Sequence, residues 1–231
     1  MAVLDQTSVG DVSMRVRAPS SLKFCIAFGS LALPLVVIAI VAQQERIDPS
    51  FLLRDPLAVA RSVVRGETMM QPADCCKAWF GMVSQLGGMI WSGVAAILAF
   101  TGILALIRHL PARDAGMLLW ASAFTGFLAI DDMLMLHENA GHLGLNERIV
   151  FSGYAMLMVC YFFIWWRNLM AKRAWLILVS LAFFSLSVVV DIDVFKVVDN
   201  HVIFEDGFKF AGITTWAGAQ IILCLQVLST D

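Results

Sequence analysis

Charge is scarce in this sequence. Charged residues make up 15% of the 231-residue chain, whereas 60% of its residues are hydrophobic and the mean hydropathy is +0.81. A water-soluble domain does not need that much apolar surface. The net charge is -2 and no Lys/Arg-rich block occurs, so the chain lacks the positive field that attracts nucleic acid. The composition excludes a nucleic-acid partner and predicts a protein whose surroundings are membrane lipid.

Cysteine is also sparse, and its positions give little support for redox chemistry. Three of the five cysteines, Cys25, Cys160 and Cys224, lie inside apolar runs, where a thiol is usually a small apolar filler. Cys75 and Cys76 are adjacent in a polar segment, and adjacent cysteines rarely bridge each other. The sequence also lacks internal repeats, low-complexity tracts and a second soluble domain. A single membrane domain is the predicted organisation.

Long apolar runs are abundant, each near the roughly 20 residues that cross about 30 Å of hydrocarbon. The first run is too long for the core of a signal peptide, and no small-residue cleavage pattern follows it, so we interpret it as a retained span. The sequence therefore predicts an all-α fold, a polytopic membrane helix bundle with about six transmembrane spans. The runs cover residues 22–42, 83–107, 115–136, 149–166, 175–194 and 210–228.

The loops between the runs predict the orientation. Residues 1–21 are expected to form a cytoplasmic tail, and residues 22–231 one membrane domain of about six spans with a long outer loop at 43–82. In that loop, residues 56–65 begin with proline and predict a short surface helix. Short loops after the third and fifth runs are acid-rich, whereas those after the second and fourth are basic, so both termini are predicted on the cytoplasmic side of an inner (plasma) membrane. The basic residues are Arg108, Arg113, Arg167, Lys172 and Arg173.

Ionisable residues at membrane depth are the candidates for function. The third run ends with Asp131, Asp132, His137 and Glu138. Because such groups cost several kcal/mol in hydrocarbon, they need partners. Asp131 lies about 24 Å along its helix from the cytoplasmic end, and Asp191 in the fifth run reaches about the same level. Two helices are therefore expected to bring carboxylates to one layer near the outer face.

Helical spacing indicates which of these side chains share a direction. Asp131 and Glu138 are separated by nearly two helical turns and so share a face, which His142 extends if the helix continues past Gly141. Asp132 projects from another part of the circumference, as does His137. The spacing therefore favours Asp131 over Asp132 for a shared site.

Two further segments contribute acids. Asp191 and Asp193 point in nearly opposite directions on a helix, so we assign Asp191 to the site and Asp193 to an ion pair with Lys196. Glu205 precedes Lys209 by four residues, the favourable order for a helical ion pair. That pair is interpreted either as an interfacial anchor of the last span or as part of the site.

A bound metal is one of three interpretations of this cluster, beside solvated residues at a helix end and an ion network without a ligand. Oxygen-rich ligation with one or two imidazoles suits a divalent zinc, iron or manganese ion. A metal-bound water would then serve as nucleophile with a carboxylate as its base, acting on a lipid-phase substrate from the periplasmic side. The candidate ligands are Asp131, His137, Glu138, Asp191 and Glu205, with His142 a weaker one.

Four stretches of the chain resemble an uncharacterised family of bacterial integral membrane proteins. They are residues 54–56, 81–91, 131–138 and 205–213. The most specific are Asp-Asp-x4-His-Glu in the third stretch and Glu-Asp-Gly-x-Lys-x2-Gly in the fourth. The resemblance implies a bacterial membrane protein with its site among these residues, and it implies no activity.

Two other functions stay open beside a metal-dependent enzyme. A proton or cation transporter needs a polar path across the membrane, yet the inner halves of the third and fifth runs offer only Ser122, Thr125, Ser180, Ser185 and Ser187. This pattern predicts a path closed on the cytoplasmic side. An accessory subunit of a membrane complex is the other alternative. It would use the small residues Ser84, Gly88, Ser92 and Ala96, four apart on one helical stripe, to pack against a partner subunit.

Overall fold

The computed structural model describes residues 19–45, 47–66, 77–136, 147–172, 174–190 and 201–229, and over these ranges the chain is helical with no strand. The predicted all-α class is therefore confirmed. The helices are α1 Ser20–Gln43, α2 Pro49–Leu53, α3 Pro56–Val64, α4 Met82–Ile107, α5 Ala112–Leu134, α6 Glu147–Ala171, α7 Trp175–Val189 and α8 His201–Leu228.

Five of these helices are long and apolar enough to cross a bilayer: α1, α4, α5, α6 from Ile149, and α8 from Val202. Helix α7 is apolar but has 15 residues, which at the α-helical rise amounts to about 22 Å. It covers the first part of the predicted fifth span, and the remainder of that span falls within residues 191–200, which the structure does not describe. Over its described residues, the chain is a polytopic helical membrane bundle of five candidate spans and one shorter apolar helix.

Helix α8 forms the centre of the bundle. It packs against α1, α4 and α7, and the short α2 also contacts it. Every residue from Ala211 to Gln220 is buried. In the most apolar stretch of each span, 72% of the residues are buried in α8 but only 11% in α1. Because a span buried by its neighbours does not contact lipid, α8 can carry polar side chains that α1 cannot.

The small-residue stripe on α4 is divided between internal and exposed positions. Ser84 donates a hydrogen bond to Asp55, and a Cβ added at Gly88 would lie 3.1 Å from Met133 of α5. Ser92 and Ala96 are exposed. Part of the stripe therefore serves packing within the chain, and a helix-packing partner subunit stays a prediction for the rest.

Two short helices, α2 and α3, pack on the start of α4, and α3 begins with the proline that the sequence predicted for its first turn. Phe51 of α2 stacks on Phe80 at 5.5 Å between ring centroids. The Gly81 N–H donates to the Phe51 carbonyl at 2.8 Å. Gly81 has a φ of +63°, and a Cβ there would lie 2.5 Å from Pro56 Cδ. This close approach holds α3 against the bundle.

Replacing Gly81 with alanine is expected to destabilise the protein by roughly 1–3 kcal/mol, because a left-handed conformation and a steric clash coincide. The measurement is the midpoint of thermal unfolding in detergent. Gly93→Ala, within the α4 helix that follows Gly81, is the control, since a Cβ there meets nothing within 4 Å. Equal midpoints for the two variants would contradict the packing of α3 on α4.

Candidate functional site

Lys209 of α8 lies between two carboxylates from other elements. Its Nζ atom is 2.5 Å from Oδ1 of Asp132 and 4.0 Å from Oδ2 of Asp55. Asp132 lies in the last turns of α5 and Asp55 precedes α3. Ser84, in the first turn of α4, donates its hydroxyl hydrogen bond to Asp55. Side chains from four elements therefore meet at one end of the bundle.

Asp206 completes this group, which we call the Lys209 cluster: Asp55, Ser84, Asp132, Asp206 and Lys209. Asp206 precedes Lys209 by almost one turn of α8. Its residue as a whole is partly exposed, but its Oδ2 atom is buried and has no hydrogen-bond partner among the described residues. A buried polar atom without a partner calls for an explanation such as a bound water or a proton.

A small cavity lies against the cluster, with room for about one water molecule. Both polar or charged side chains and apolar side chains line it. The lining residues are Leu53, Val83, Ser84, Gly87, Asp132, Asp206, Lys209, Phe210 and Ile213. A ligand of this cavity must therefore be very small, and the charged side chains give a water molecule partners for hydrogen bonds.

Asp131 and Asp132 point to different neighbours. Asp131 is 4% exposed and interacts with the Tyr154 hydroxyl of α6, which is within hydrogen-bonding reach. Asp132 points to α8 and Lys209. The sequence favoured Asp131 for a site shared with Glu138 and with Asp191 of the fifth run, which lie outside the described residues. The structure places the neighbouring Asp132 beside Lys209. Spacing shows that adjacent residues diverge, but not which of them faces α8.

Lys209 has partners that the sequence did not predict. Its ion pairs with Asp132 and Asp55 join α8 to α5 and to the residue before α3. The pair of Lys209 with Glu205 in the preceding turn stays a prediction. Glu205 is partly buried on α8 and has contacts of its own.

Most of the predicted metal ligands lie outside the described residues: His137, Glu138, His142 and Asp191, as does Asp193 with its partner Lys196. Asp131 and Glu205 are the described members. Within the described ranges, no group of three or more His, Cys, Asp or Glu side chains is placed to hold a metal ion. The metal centre stays a prediction, because most of its proposed ligands lie outside the described residues.

A second set of polar groups lies deeper in the bundle. We call Thr125, Tyr161, Trp216 and Gln220 the inner polar group. Trp216 Nε1 donates to Thr125 Oγ1 at 3.0 Å. Gln220 is fully buried, and neither its amide nitrogen nor its amide oxygen forms a hydrogen bond with the described residues. The Tyr161 hydroxyl lies near that amide. Gln220 is about 16 Å along α8 from Lys209, on the same face.

Of this inner polar group, the sequence indicated Thr125 alone, because Tyr161, Trp216 and Gln220 lie outside the third and fifth runs. Gln220, a glutamine within an apolar run, was the signal in the sequence that could have indicated these polar groups. Gln220 is buried because α8 lies at the centre of the bundle, and no local sequence pattern predicts that position.

A third polar contact ties α5 to α6 at the opposite end of the bundle. Asp114 in the first turn of α5 accepts a hydrogen bond from Asn168 Nδ2 at 2.6 Å and pairs with Lys172 Nζ at 3.1 Å. An acid at a helix N-terminus and a base after a helix C-terminus both suit the helix dipoles. The packing of α5 against α6 and the helix dipoles therefore account for this contact.

The fold and these buried groups define a polytopic helical membrane protein with an acid–lysine cluster at one end of the bundle. The chain belongs to the family described as Domain of unknown function (DUF8692), which matches residues 30–223. The matched region extends from within α1 into α8 and includes the whole Lys209 cluster. No curated protein and no solved structure matches the chain.

Proposed function

We propose that this protein conducts protons across the membrane and that the Lys209 cluster is the outer site on their path. The observation that carries the proposal is the small cavity between Asp132, Asp206 and Lys209. Ionisable groups inside membrane bundles commonly mark ion pathways and proton relays. A cavity for about one water suits a proton carried by water better than it suits a lipid headgroup.

The inner polar group supports a path that continues beyond the cluster. The hydroxyls of Thr125 and Tyr161 and the amide of Gln220 line the α8 region, so the serines of the third and fifth runs are not its sole polar groups. Apolar side chains separate the two sets: Ile213 lies between them, and Trp91 stacks on Phe184 at 5.7 Å between ring centroids. We interpret this layer as a closed gate.

The test is ion flux in proteoliposomes that contain a pH-sensitive dye. A potassium gradient with valinomycin supplies the driving potential, and the external cation is varied in turn. Wild-type protein is expected to change the internal pH whichever cation is outside, and Lys209→Met is expected to lose most of this flux. Arg108→Met removes an exposed cation at the far end of α4 and serves as the control. Flux that requires sodium would contradict a proton pathway.

The metal-dependent membrane enzyme is a second proposal. It is favoured by Asp131, a buried carboxylate close to the predicted ligands His137 and Glu138 in sequence. The test is elemental analysis of detergent-purified protein. Stoichiometric zinc, iron or manganese that is lost in Asp131→Asn and Glu138→Gln would support this enzyme. Metal-free protein would leave the proton pathway as the better account.

We also propose that the Lys209 cluster faces the periplasm of a bacterial inner membrane and that both termini are cytoplasmic. Cys75 and Cys76 belong to the same outer segment as α3, although both lie beyond the described residues. An impermeant thiol reagent is expected to label reduced protein in intact cells. The Cys75→Ser/Cys76→Ser variant, which keeps the three cysteines of the spans, is the control. Labelling only after the cells are opened would reverse the orientation.

A further inference from the structure

Asp206 differs from the other acids of the Lys209 cluster because one of its oxygens has no partner. Asp132 contacts Lys209 at 2.5 Å, and Asp55 accepts a hydrogen bond from Ser84. The Oδ2 atom of Asp206 is buried and accepts no hydrogen bond among the described residues. The cavity with room for about one water lies against this residue.

The charges that surround Asp206 are mostly negative. Lys209 follows Asp206 by three residues on the same helix, and it is already shared by Asp132 and Asp55. Arg54 also acts on Asp206, but it is exposed, so solvent weakens its effect. The groups facing Asp206 are Glu205 and Lys209 on its own helix, Arg54 and Asp55 before α3, and Asp132 on α5. Four carboxyl groups, including Asp206, therefore share two cations.

A buried carboxylate oxygen that has neither a hydrogen-bond donor nor a cation of its own disfavours the charged form of the group. Binding a proton removes the charge and turns the oxygen into an O–H donor. That donor can reach a water molecule in the adjacent cavity. Asp132 and Asp55 do not need this proton, because Lys209 and Ser84 compensate them.

We infer that Asp206 holds a proton in the resting protein and is the group that exchanges it with water in the cavity. This inference deepens the proposed proton pathway and rests on it for its role. The exchange is a simple transfer: the O–H bond of the Asp206 carboxyl breaks, water accepts the proton, and the resulting carboxylate attracts Lys209. Return of a proton from water restores the resting state. Asp132 and Asp55 then hold Lys209 as before.

The test is infrared difference spectroscopy of the detergent-purified full chain at neutral pH. The carbonyl stretch of a protonated carboxylic acid is expected in wild type and should shift in D2O because the proton exchanges. It should disappear in Asp206→Asn and stay in Asp114→Asn, which alters the acid at the other end of the bundle. Wild-type protein without this band, or an unchanged band in Asp206→Asn, would overturn the inference.

A second pair of measurements covers the case in which a variant folds poorly. Asp206→Glu keeps a carboxyl group and should retain the carbonyl band at a shifted frequency. Asp206→Asn imitates the neutral acid, so its thermal midpoint at neutral pH should stay near the wild-type value, whereas Asp132→Asn should lower the midpoint. An equal loss of stability in both asparagine variants would show that Asp206 is ionised and would contradict the inference. A band without proton flux would refute the proposed pathway alone, and flux without the band would refute the role of Asp206 alone.

Discussion

Lys209→Met is expected to lower the midpoint of thermal unfolding more than any other substitution considered for this protein. Removing the lysine leaves Asp132, which is buried, and Asp55, which is largely so, without their cation. Breaking a fully buried pair typically costs 3–5 kcal/mol. The Lys209 side chain keeps 30% of its surface exposed, so we expect a smaller loss, on the order of 2–3 kcal/mol.

A double-mutant cycle distinguishes this pairing from a simple loss of packing. If Lys209 and Asp132 interact directly, Asp132→Asn should cost much less in the Lys209→Met background than in wild type. Unfolding in detergent is measured for wild type, both single variants and the double variant. Arg108→Met controls for loss of a positive charge at an exposed position. Additive losses would contradict a direct pair between α5 and α8.

Asp132→Asn is expected to reduce proton flux about tenfold or more, whereas Asp131→Asn is expected to change it much less. The substitution is the same at two adjacent positions, and both side chains are buried. Asp132 lines the cavity and holds Lys209, while Asp131 faces Tyr154 on α6. A tenfold change corresponds to about 1.4 kcal/mol, less than the full value of a buried charge contact.

The comparison uses proteoliposomes with equal amounts of folded protein, and Tyr154→Phe tests the contact of Asp131 separately. A larger loss of flux at Asp131 would mean that the working site faces α6. It would also favour the ligand set that the sequence predicted. The proton flux of the Asp131→Asn and Asp132→Asn variants therefore distinguishes the proton pathway from the metal-centre proposal.

The membrane explains how much of the fold could be predicted. Bilayer thickness fixes the length of a span, so the apolar runs predicted α1, α4, α5, α6 and α8 without tertiary information. Proline at the start of α3 predicted that helix as well. Hydropathy did not identify the central span, because α5 and α8 have nearly the same hydropathy, 1.4 and 1.5, yet 33% and 72% of their most apolar stretches are buried.

The candidate site was less predictable because it depends on rotation and on long-range contacts. Spacing separated Asp131 from Asp132 correctly, but only the packing of α5 against the rest of the bundle decides which of them meets Lys209. Asp55 joins from the segment before α3, far away in sequence, because Gly81 lets α3 lie close to α4. A sequence pattern within one helix predicts neither the contact of Asp132 with Lys209 nor the position of Asp55.

Net proton flux through the purified protein is the most direct test of the account. Proteoliposomes with wild type, Asp206→Asn and Asp114→Asn are compared under one imposed potential, with an uncoupler added at the end to confirm that the vesicles are sealed. The account predicts that wild type and Asp114→Asn conduct protons and that Asp206→Asn falls close to protein-free vesicles. Wild-type flux equal to that of protein-free vesicles, or undiminished flux in Asp206→Asn, would contradict it.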